Sequence, residues 1–277
     1  MDCIDALVLG IVQGLAEYLP ISSSGHLEIL KQILGLDLDP EASLTFSMML
    51  HVATVLSTVV VLWYEFKPLF LSFVTFKRDD NFYYVCKILL SCIPVGIVGL
   101  CFKKQISALF SGNLTVVGIC LLVTALLLCF AYFTCTRESL ADPRAQQGRD
   151  ITWADAFIIG LAQAVAVLPG LSRSGTTIAT GILLGDNRAK VAHFSFLMVI
   201  IPILGEGLLD LKDILFPDAA EVAAGAAVGV LPVCVGFIAS FIVGCLACKW
   251  MIDIVKKGKL VWFAIYCAAA GVICLLW

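Results

Sequence analysis

The first group of residues suited to chemistry lies in a short polar stretch near the start of an otherwise apolar sequence. Gln13 and Glu17 are four positions apart, so they share one face of a predicted helix. Hydroxyl groups and an imidazole follow in the turn, at Ser22, Ser23, Ser24 and His26. Such groups are costly in an apolar segment unless they have a function. The stretch therefore predicts a binding or catalytic site, the alternative being a polar cluster that only satisfies backbone groups freed by the turn.

A second polar stretch, residues 169–177, has the features of a phosphate-binding turn. Its sequence, PGLSRSGTT, leads into a predicted helix whose first amides have no partner within the helix, and such helix starts bind anions. Arg173 offers a planar pair of donors that matches two phosphate oxygens. Further hydroxyl donors stand at Ser172, Ser174 and Thr177. Because residues 156–185 contain no acidic residue, the alternative partner of Arg173 is Glu17, in a purely structural ion pair.

The composition places these two stretches in a membrane protein. The chain is 61% hydrophobic and 14% charged, whereas soluble domains contain roughly 25% charged residues. The absence of a basic run argues against a nucleic-acid partner, and the acidic N-terminus is unlike a cleaved signal peptide. Most of the twelve cysteines lie in apolar runs, where cysteine acts as a small hydrophobic residue.

Long apolar runs predict an all-α polytopic membrane protein with six transmembrane helices. These helices are expected near residues 42–64, 84–102, 114–135, 190–209, 222–248 and 259–277. Two other apolar stretches, 3–36 and 151–186, are interrupted at their midpoints by the polar turns. Irregular backbone at membrane depth is tolerated only where protein or water surrounds it. We therefore predict that each interrupted stretch forms a re-entrant helix hairpin.

An internal duplication relates the two interrupted stretches. A shift of 150 positions aligns identical residues along both, including Gln13 with Gln163 and Gly25 with Gly175. The sequence thus predicts a single integral membrane domain, residues 1–277, with internal inverted repeats at approximately 1–135 and 151–277. The repeats are expected to be inverted because each would contain one hairpin and three spans, an odd number.

The distribution of basic residues predicts the orientation of the chain. Lys and Arg are concentrated on one side of the predicted topology, chiefly in segments 65–83, 136–150 and 249–258. By the positive-inside rule, these segments face the cytoplasm. Both termini are then expected to face outward, with the first hairpin entering the membrane from outside and the second from inside.

These motifs resemble those of the undecaprenyl-diphosphate phosphatase family, also called the bacitracin-resistance family. The likeness covers the whole chain and rests on three elements: Glu/Gln-xxx-Glu at Gln13–Glu17, P-x-S-S-x-G-H at Pro20–His26, and P-G-x-S-R-S-x-x-T at Pro169–Thr177. Each element alone is weak, but their combination and spacing are specific. Gln13 stands where many members have Glu, so it brings no charge to the site.

The resemblance implies hydrolysis of undecaprenyl diphosphate to undecaprenyl phosphate and inorganic phosphate. This reaction recycles the lipid carrier for peptidoglycan synthesis and confers bacitracin resistance. The protein would lie in the bacterial cytoplasmic membrane, with the active site facing outward. Its partners would be the lipid substrate and membrane lipids, and a homodimer is left open.

The same resemblance assigns roles to the polar residues. Those that bind the substrate phosphates would be Ser172, Arg173, Ser174 and Thr177. Those that act in catalysis would be Glu17, Ser23, His26 and Arg173. A divalent cation, Mg²⁺ or Ca²⁺, would be held by Glu17 with Gln13. The nucleophile is left open between Ser23, His26 and water, with general acid–base catalysis as the other role for His26.

Two other classes of function remain open from the sequence. A flippase or transporter for a polyprenyl phosphate would also use inverted repeats, broken helices and a phosphate-binding turn. It has less need of the acid, hydroxyl and imidazole groups of the first stretch. An ion channel or a structural membrane protein is the second alternative, and the lone Arg173 beside a serine-rich helix start argues against a cation pore. His51 lies within a predicted span and is interpreted as a packing or hydrogen-bonded core residue.

Overall fold

The secondary structure is helical throughout the part of the chain that the computed structural model describes, which comprises residues 1–36, 40–102, 105, 114–141, 148–205, 207, 229–257 and 259–277. Within these residues, the only extended pairing is an isolated bridge between Arg149 and Asp186. The helices are α1 (Cys3–Ala16), α2 (Ser23–Ile33), α3 (Pro40–Val61), α4 (Trp63–Val74), α5 (Asp80–Cys101), α6 (Leu114–Ala141), α7 (Trp153–Val165), α8 (Arg173–Leu183), α9 (Arg188–Met198), α10 (Val230–Lys256) and α11 (Val261–Leu276). The prediction of an all-α protein is confirmed.

Four helical segments in the described part of the chain are long and apolar enough to cross a membrane. They are α5, the Leu114–Thr134 part of α6, α9 extended to Gly205, and α10. A fifth arises if α3 and α4 are counted together as one bent span. The predicted span at 259–277 corresponds to α11, whose 16 residues are fewer than the roughly 20 that cross upright. A multi-pass membrane protein is therefore confirmed, while the number six remains a prediction. Residues 222–228 of the predicted span 222–248 lie outside the described part.

The helix α3 ends at Val61, three residues before the end of the predicted span 42–64. The backbone leaves the helical region at Leu62, with φ −97° and ψ 25°, and α4 then runs at 92° to the preceding helix. Pro68 lies inside α4. Its ring removes one backbone hydrogen bond inside α4, and the helix nevertheless continues to Val74. Segment 65–83, predicted as a loop, is consequently helical over much of its length.

Both interrupted stretches break at their polar turns and resume with equivalent helices. α2 and α8 each contain 11 residues, and each begins after a serine N-cap, Ser22 or Ser172. The hydroxyl oxygens of these serines accept hydrogen bonds from the amides of Gly25 and Gly175. Each break therefore has a capped helix start at its centre, which supplies backbone N–H groups close to the polar side chains.

Glycines allow both hairpins to approach neighbouring helices closely. α1 packs on α10, and α7 packs on α5. A Cβ atom added at Gly10 would lie 2.4 Å from the carbonyl oxygen of Gly236, and one added at Gly160 would lie 2.4 Å from that of Ser91. Small residues at helix contacts let backbones come together where there is little hydrophobic force between helices. These contacts fix the position of each hairpin and so place its polar turn.

We expect Gly160→Ala to destabilise the protein, because its methyl group would collide with the α5 backbone. Overpacking of this kind costs about 1–3 kcal/mol, which exceeds the 0.5–1 kcal/mol that alanine typically gains over glycine inside a helix. The matched control is Gly99→Ala in α5, whose Cβ position meets nothing within 4 Å among the described residues. Thermal unfolding in detergent should give a lower Tm for Gly160→Ala and an unchanged or higher Tm for the control. Equal Tm values would contradict this packing.

At the open end of the second hairpin, Arg149 lies beside two acidic residues, Asp155 and Asp186. Arg149 donates to both carboxylate oxygens of Asp155, over 2.7 and 2.9 Å. The side chain of Asp186 is fully buried, and neither of its oxygens accepts a hydrogen bond within the described residues. Burial, together with the charge of Asp155, raises the pKa of Asp186 to about 6. The folded protein therefore holds a proton at Asp186 that the unfolded chain releases near pH 4.

This raised pKa predicts that the free energy of unfolding falls as the pH rises from about 4 to about 6. Over that interval the folded state binds a proton that the unfolded chain has released. The free energy of unfolding stops falling above pH 6, after a total decrease of no more than about 3 kcal/mol. Asp186→Asn should remove this dependence and be more stable at pH 7. The control is Asp253→Asn, because Asp253 is exposed and makes no ion pair among the described residues. Tm measured from pH 4 to 8 tests the prediction, which fails if wild type and Asp186→Asn give parallel curves.

Candidate functional site

The two polar turns meet at the carboxylate of Glu17. Glu17 caps the end of α1, and its side chain is only 8% exposed. Its Oε2 accepts hydrogen bonds from Gln13 Nε2 at 2.8 Å and from Ser23 Oγ at 2.7 Å. Its Oε1 lies 3.3 Å from Nη2 of Arg173, the first residue of α8. Residues from both predicted motifs therefore form one cluster.

Arg173 provides the positive charge of the cluster. The ion pair with Glu17, the alternative expected from the sequence, is the contact that the structure contains. It uses one Nη2 donor, whereas a guanidinium group has five N–H donors. The Arg173 side chain is 23% exposed, compared with 8% for Glu17. An anion that approaches Arg173 would therefore find an accessible guanidinium group beside a more deeply buried acid.

His51 also contacts Glu17, whereas the sequence interpretation was a packing or hydrogen-bonded core residue outside the site. Its Nδ1 lies 2.8 Å from the Ser47 carbonyl oxygen and therefore carries the hydrogen, while Nε2 lies 3.4 Å from Glu17 Oε2. A proton on Nε2 would be shared between the ring and the carboxylate. A polar stripe along α3 could have indicated this, because Thr54 and Thr58 lie on the same helical face as His51.

The hydroxyl groups of the second turn are engaged with the backbone. Ser172 Oγ accepts the Gly175 amide at 3.0 Å, and Thr177 Oγ1 donates to the Arg173 carbonyl at 2.9 Å. Ser174 Oγ donates to the carbonyl of Leu19 at 3.2 Å and so joins the second turn to the first. These contacts position Arg173. Phosphate binding by the three hydroxyls themselves stays a prediction.

His26 points toward α11, and its two ring nitrogens both have partners other than Glu17. Nδ1 lies 2.8 Å from the carbonyl oxygen of Ser22, which makes it the N–H donor. Nε2 therefore accepts the hydrogen bond from Tyr266 Oη, at 2.6 Å, and the two rings stack with centroids 5.6 Å apart. Tyr266 has no distinguishing sequence signal, because it is a lone tyrosine in an apolar helix.

The oxygen atoms near Glu17 fit a divalent cation only in part. Among the described residues, no group of three or more His, Cys, Asp or Glu side chains is arranged to hold a metal. Gln13 Oε1 is buried and has no hydrogen-bond partner in the described part of the chain. This amide oxygen and the Glu17 carboxylate are hard donors, and Mg²⁺ commonly takes one or two protein oxygens together with substrate phosphates. The site therefore fits a cation that arrives with a diphosphate.

A cavity beside the cluster is lined by both polar and apolar residues. The polar residues include Glu17, Arg173, Ser174, Thr177, Gln163 and Ser195, and the apolar residues are Val55, Phe196, Val199 and Ile203. Tyr18 also lines it, held by hydrogen bonds to the Thr54 carbonyl and the Thr58 hydroxyl. This combination suits a ligand with an anionic head and an apolar tail.

Comparison with known proteins places the chain among membrane diphosphatases. The family described as bacitracin resistance protein BacA matches residues 6–273. The chain is 55% identical over 273 residues to an undecaprenyl-diphosphatase of Bacteroides fragilis, covering 99% of this chain and 97% of the relative. It is 54% identical to that of Parabacteroides distasonis (99% and 97% covered) and 47% identical to that of Christiangramia forsetii (98% and 96% covered). The chain therefore belongs to the bacitracin resistance protein BacA family.

Proposed function

We propose that the protein hydrolyses undecaprenyl diphosphate to undecaprenyl phosphate and inorganic phosphate, and thereby recycles the lipid carrier for peptidoglycan synthesis and confers bacitracin resistance. The observation that carries this proposal is the contact between Glu17 and Arg173, with the Ser23 hydroxyl on the same carboxylate. This contact brings together the guanidinium group of Arg173, which can bind an anion, the base Glu17 and the nucleophilic hydroxyl of Ser23. Relatives that are 55% and 54% identical are named undecaprenyl-diphosphatases, which supports the same substrate here.

The geometry favours Ser23 as the nucleophile and Glu17 as its base. The Ser23 hydroxyl already donates its proton to Glu17 Oε2 at 2.7 Å, which is the arrangement of an activated nucleophile. Attack on the terminal phosphorus forms an Oγ–P bond and transfers the hydroxyl proton to Glu17. The bond from that phosphorus to the bridging oxygen then breaks, and undecaprenyl phosphate leaves. Water next cleaves the phosphoserine and releases inorganic phosphate.

Arg173 would bind the terminal phosphate and stabilise the charge on its equatorial oxygens during transfer. The capped start of α8 adds backbone N–H groups beside it. Ser172, Ser174 and Thr177 would support this site by holding the turn in place. His26, whose Nε2 faces Tyr266 rather than Glu17, suits a proton-transfer role for the leaving group better than nucleophilic attack.

A divalent cation, Mg²⁺ or Ca²⁺, would be held by Glu17 and by the free amide oxygen of Gln13, together with the substrate phosphates. Bound there, it would neutralise part of the diphosphate charge. Gln13 contributes through Oε1 and also fixes Glu17 through its Nε2 donor. A chelator is therefore expected to stop turnover, and restoring single metals should identify the ion.

The arrangement of helices supports inverted repeats, and we propose that the site faces outward. α2 and α8 begin 150 positions apart, at Ser23 and Arg173, and each N-cap serine accepts a hydrogen bond from the amide of the glycine three residues further on. The contact of α1 with α10 has its counterpart in that of α7 with α5. The proposed orientation rests on the basic segments of the sequence. Fusion of periplasmic alkaline phosphatase to the C-terminus tests it, since an active fusion supports an outward C-terminus and an inactive one opposes it.

Phosphate release from undecaprenyl diphosphate by the purified protein in detergent tests the proposed function. Turnover that stops with chelator supports a phosphatase. A carrier for the lipid would use the same cavity, whose lining includes apolar residues. If folded protein releases no phosphate with any metal, yet moves labelled undecaprenyl phosphate across vesicle membranes, the protein is a carrier and the proposed hydrolysis is wrong.

A further inference from the structure

Two residues that line the cavity carry buried hydrogen-bond donors without partners in the described part of the chain. Gln163 is 1% exposed and Ser195 is 4% exposed. Within the described residues, neither Gln163 Nε2 nor Ser195 Oγ has a hydrogen-bond partner, and both residues line the cavity that contains Arg173. Buried polar groups left unpaired are destabilising. Their position on one cavity indicates that a ligand completes them.

The two equivalent glutamines, Gln13 and Gln163, differ in their hydrogen-bond partners. Gln13 donates its amide to Glu17, four residues further along the same face. The position four residues after Gln163 is Val167, which offers no acceptor. The amide of Gln163 is therefore free to donate, where that of Gln13 is already used. The first hairpin thus brings a carboxylate to the cavity, and the second brings donors suited to an anion.

The hydroxyl groups of Ser174 and Thr177 in the second turn do not supply the donors for this anion. Ser174 donates to Leu19, and Thr177 donates to the backbone of Arg173, so their protons are already used. Within the described residues, the Ser195 hydroxyl has no hydrogen-bond partner. Ser195 lies directly before Phe196 and one helical turn before Val199, and both of these apolar residues also line the cavity. A phosphate bound at Ser195 would therefore have apolar side chains beside it, against which an attached prenyl chain would pack.

We propose that Gln163 Nε2 and Ser195 Oγ form a second phosphate subsite, which binds the phosphate attached to the prenyl chain. This inference rests on the proposed function. Arg173 and Ser23 then engage the terminal phosphate, which is transferred. The lipid-linked phosphate is held by two neutral donors, and the first prenyl units follow Phe196 and Val199. The subsite makes the cavity specific for a diphosphate joined to an apolar chain.

The test compares inhibition by a short prenyl monophosphate, farnesyl phosphate, with inhibition by inorganic phosphate. Farnesyl phosphate should occupy the second subsite, and inorganic phosphate the terminal one beside Arg173. In Ser195→Ala and Gln163→Leu, the inhibition constant of farnesyl phosphate should rise about tenfold each, since one hydrogen bond to an anion is lost. That of inorganic phosphate should change less than twofold. KM for the diphosphate should rise, with kcat largely kept.

The control is Thr176→Val. Thr176 Oγ1 is likewise buried without a partner among the described residues, but Thr176 does not line the cavity. All three variants should keep or raise Tm, because each removes an unpaired polar group, while only the cavity variants should alter inhibition. Unchanged farnesyl phosphate inhibition, or equal losses for both inhibitors, would overturn the subsite. If the wild-type protein releases no phosphate from the diphosphate, the proposed function itself fails.

Discussion

Arg173→Ala is expected to lower kcat/KM for undecaprenyl diphosphate by about 10³-fold. The variant loses the only guanidinium group at the junction of the two turns in the described part of the chain. Charge stabilisation by an arginine in phosphoryl transfer is worth roughly 10³- to 10⁵-fold. Arg173→Lys keeps the charge without the two-point donor geometry, so it should fall between wild type and alanine. Steady-state phosphate release measures all three.

Loss of Arg173 also leaves the Glu17 carboxylate buried with fewer partners, so folding must be separated from catalysis. The double variant Arg173→Ala/Glu17→Gln removes both charges and should recover Tm while remaining inactive. Arg188→Ala, at the start of α9 and away from the cavity lining, is the matched arginine control and should behave as wild type. Folded Arg173→Ala that retains more than a tenth of wild-type kcat/KM would show that the anion is bound elsewhere.

Glu17→Gln is expected to lower kcat by about 10³-fold, within the range of 10²–10⁴ for the loss of a general base. Glutamine keeps the shape and can still accept the hydrogen bond from Ser23, but it cannot take the proton. The ion pair with Arg173 is lost at the same time, which leaves the guanidinium group free for phosphate. Substrate binding should therefore persist while turnover fails. Binding of the intact diphosphate and its rate of hydrolysis, measured on one preparation, separate the two effects.

The matched acid control is Glu28→Gln. Glu28 pairs with Lys31 at 2.9 Å and does not line the cavity. Its variant should keep wild-type kcat, and any loss should appear in Tm. If Glu17→Gln turns over within tenfold of wild type, Glu17 is not the base, and water activation at another group must be sought.

The convergence of Glu17, Ser23 and Arg173 could be predicted from the sequence for a physical reason. A carboxylate and a guanidinium group inside apolar segments both require partners, and each lies at a helix break that cannot face lipid. The predicted internal duplication, with an offset of 150 positions, led us to expect the two breaks in equivalent surroundings. The prediction left open whether Arg173 faces phosphate or Glu17, because the same charge satisfies both.

The residues that the sequence did not indicate are those placed by long-range packing. His51 reaches Glu17 because α3 packs beside the first hairpin, and Tyr266 reaches His26 from α11, which packs on α6. Ser195 and Gln163 are distinguished by lacking partners among the described residues, which depends on every neighbouring side chain. The bend at Leu62 also has no sequence signal, since residues 45–67 contain no proline or glycine.

Hydrolysis in H₂¹⁸O, followed by analysis of both products, tests the central claim most directly. Because attack takes place at the terminal phosphorus in the proposed mechanism, the wild-type protein should release inorganic phosphate that contains one ¹⁸O atom, and undecaprenyl phosphate that contains none. Release of pyrophosphate, or ¹⁸O in the lipid product instead of the inorganic phosphate, would contradict attack at the terminal phosphorus.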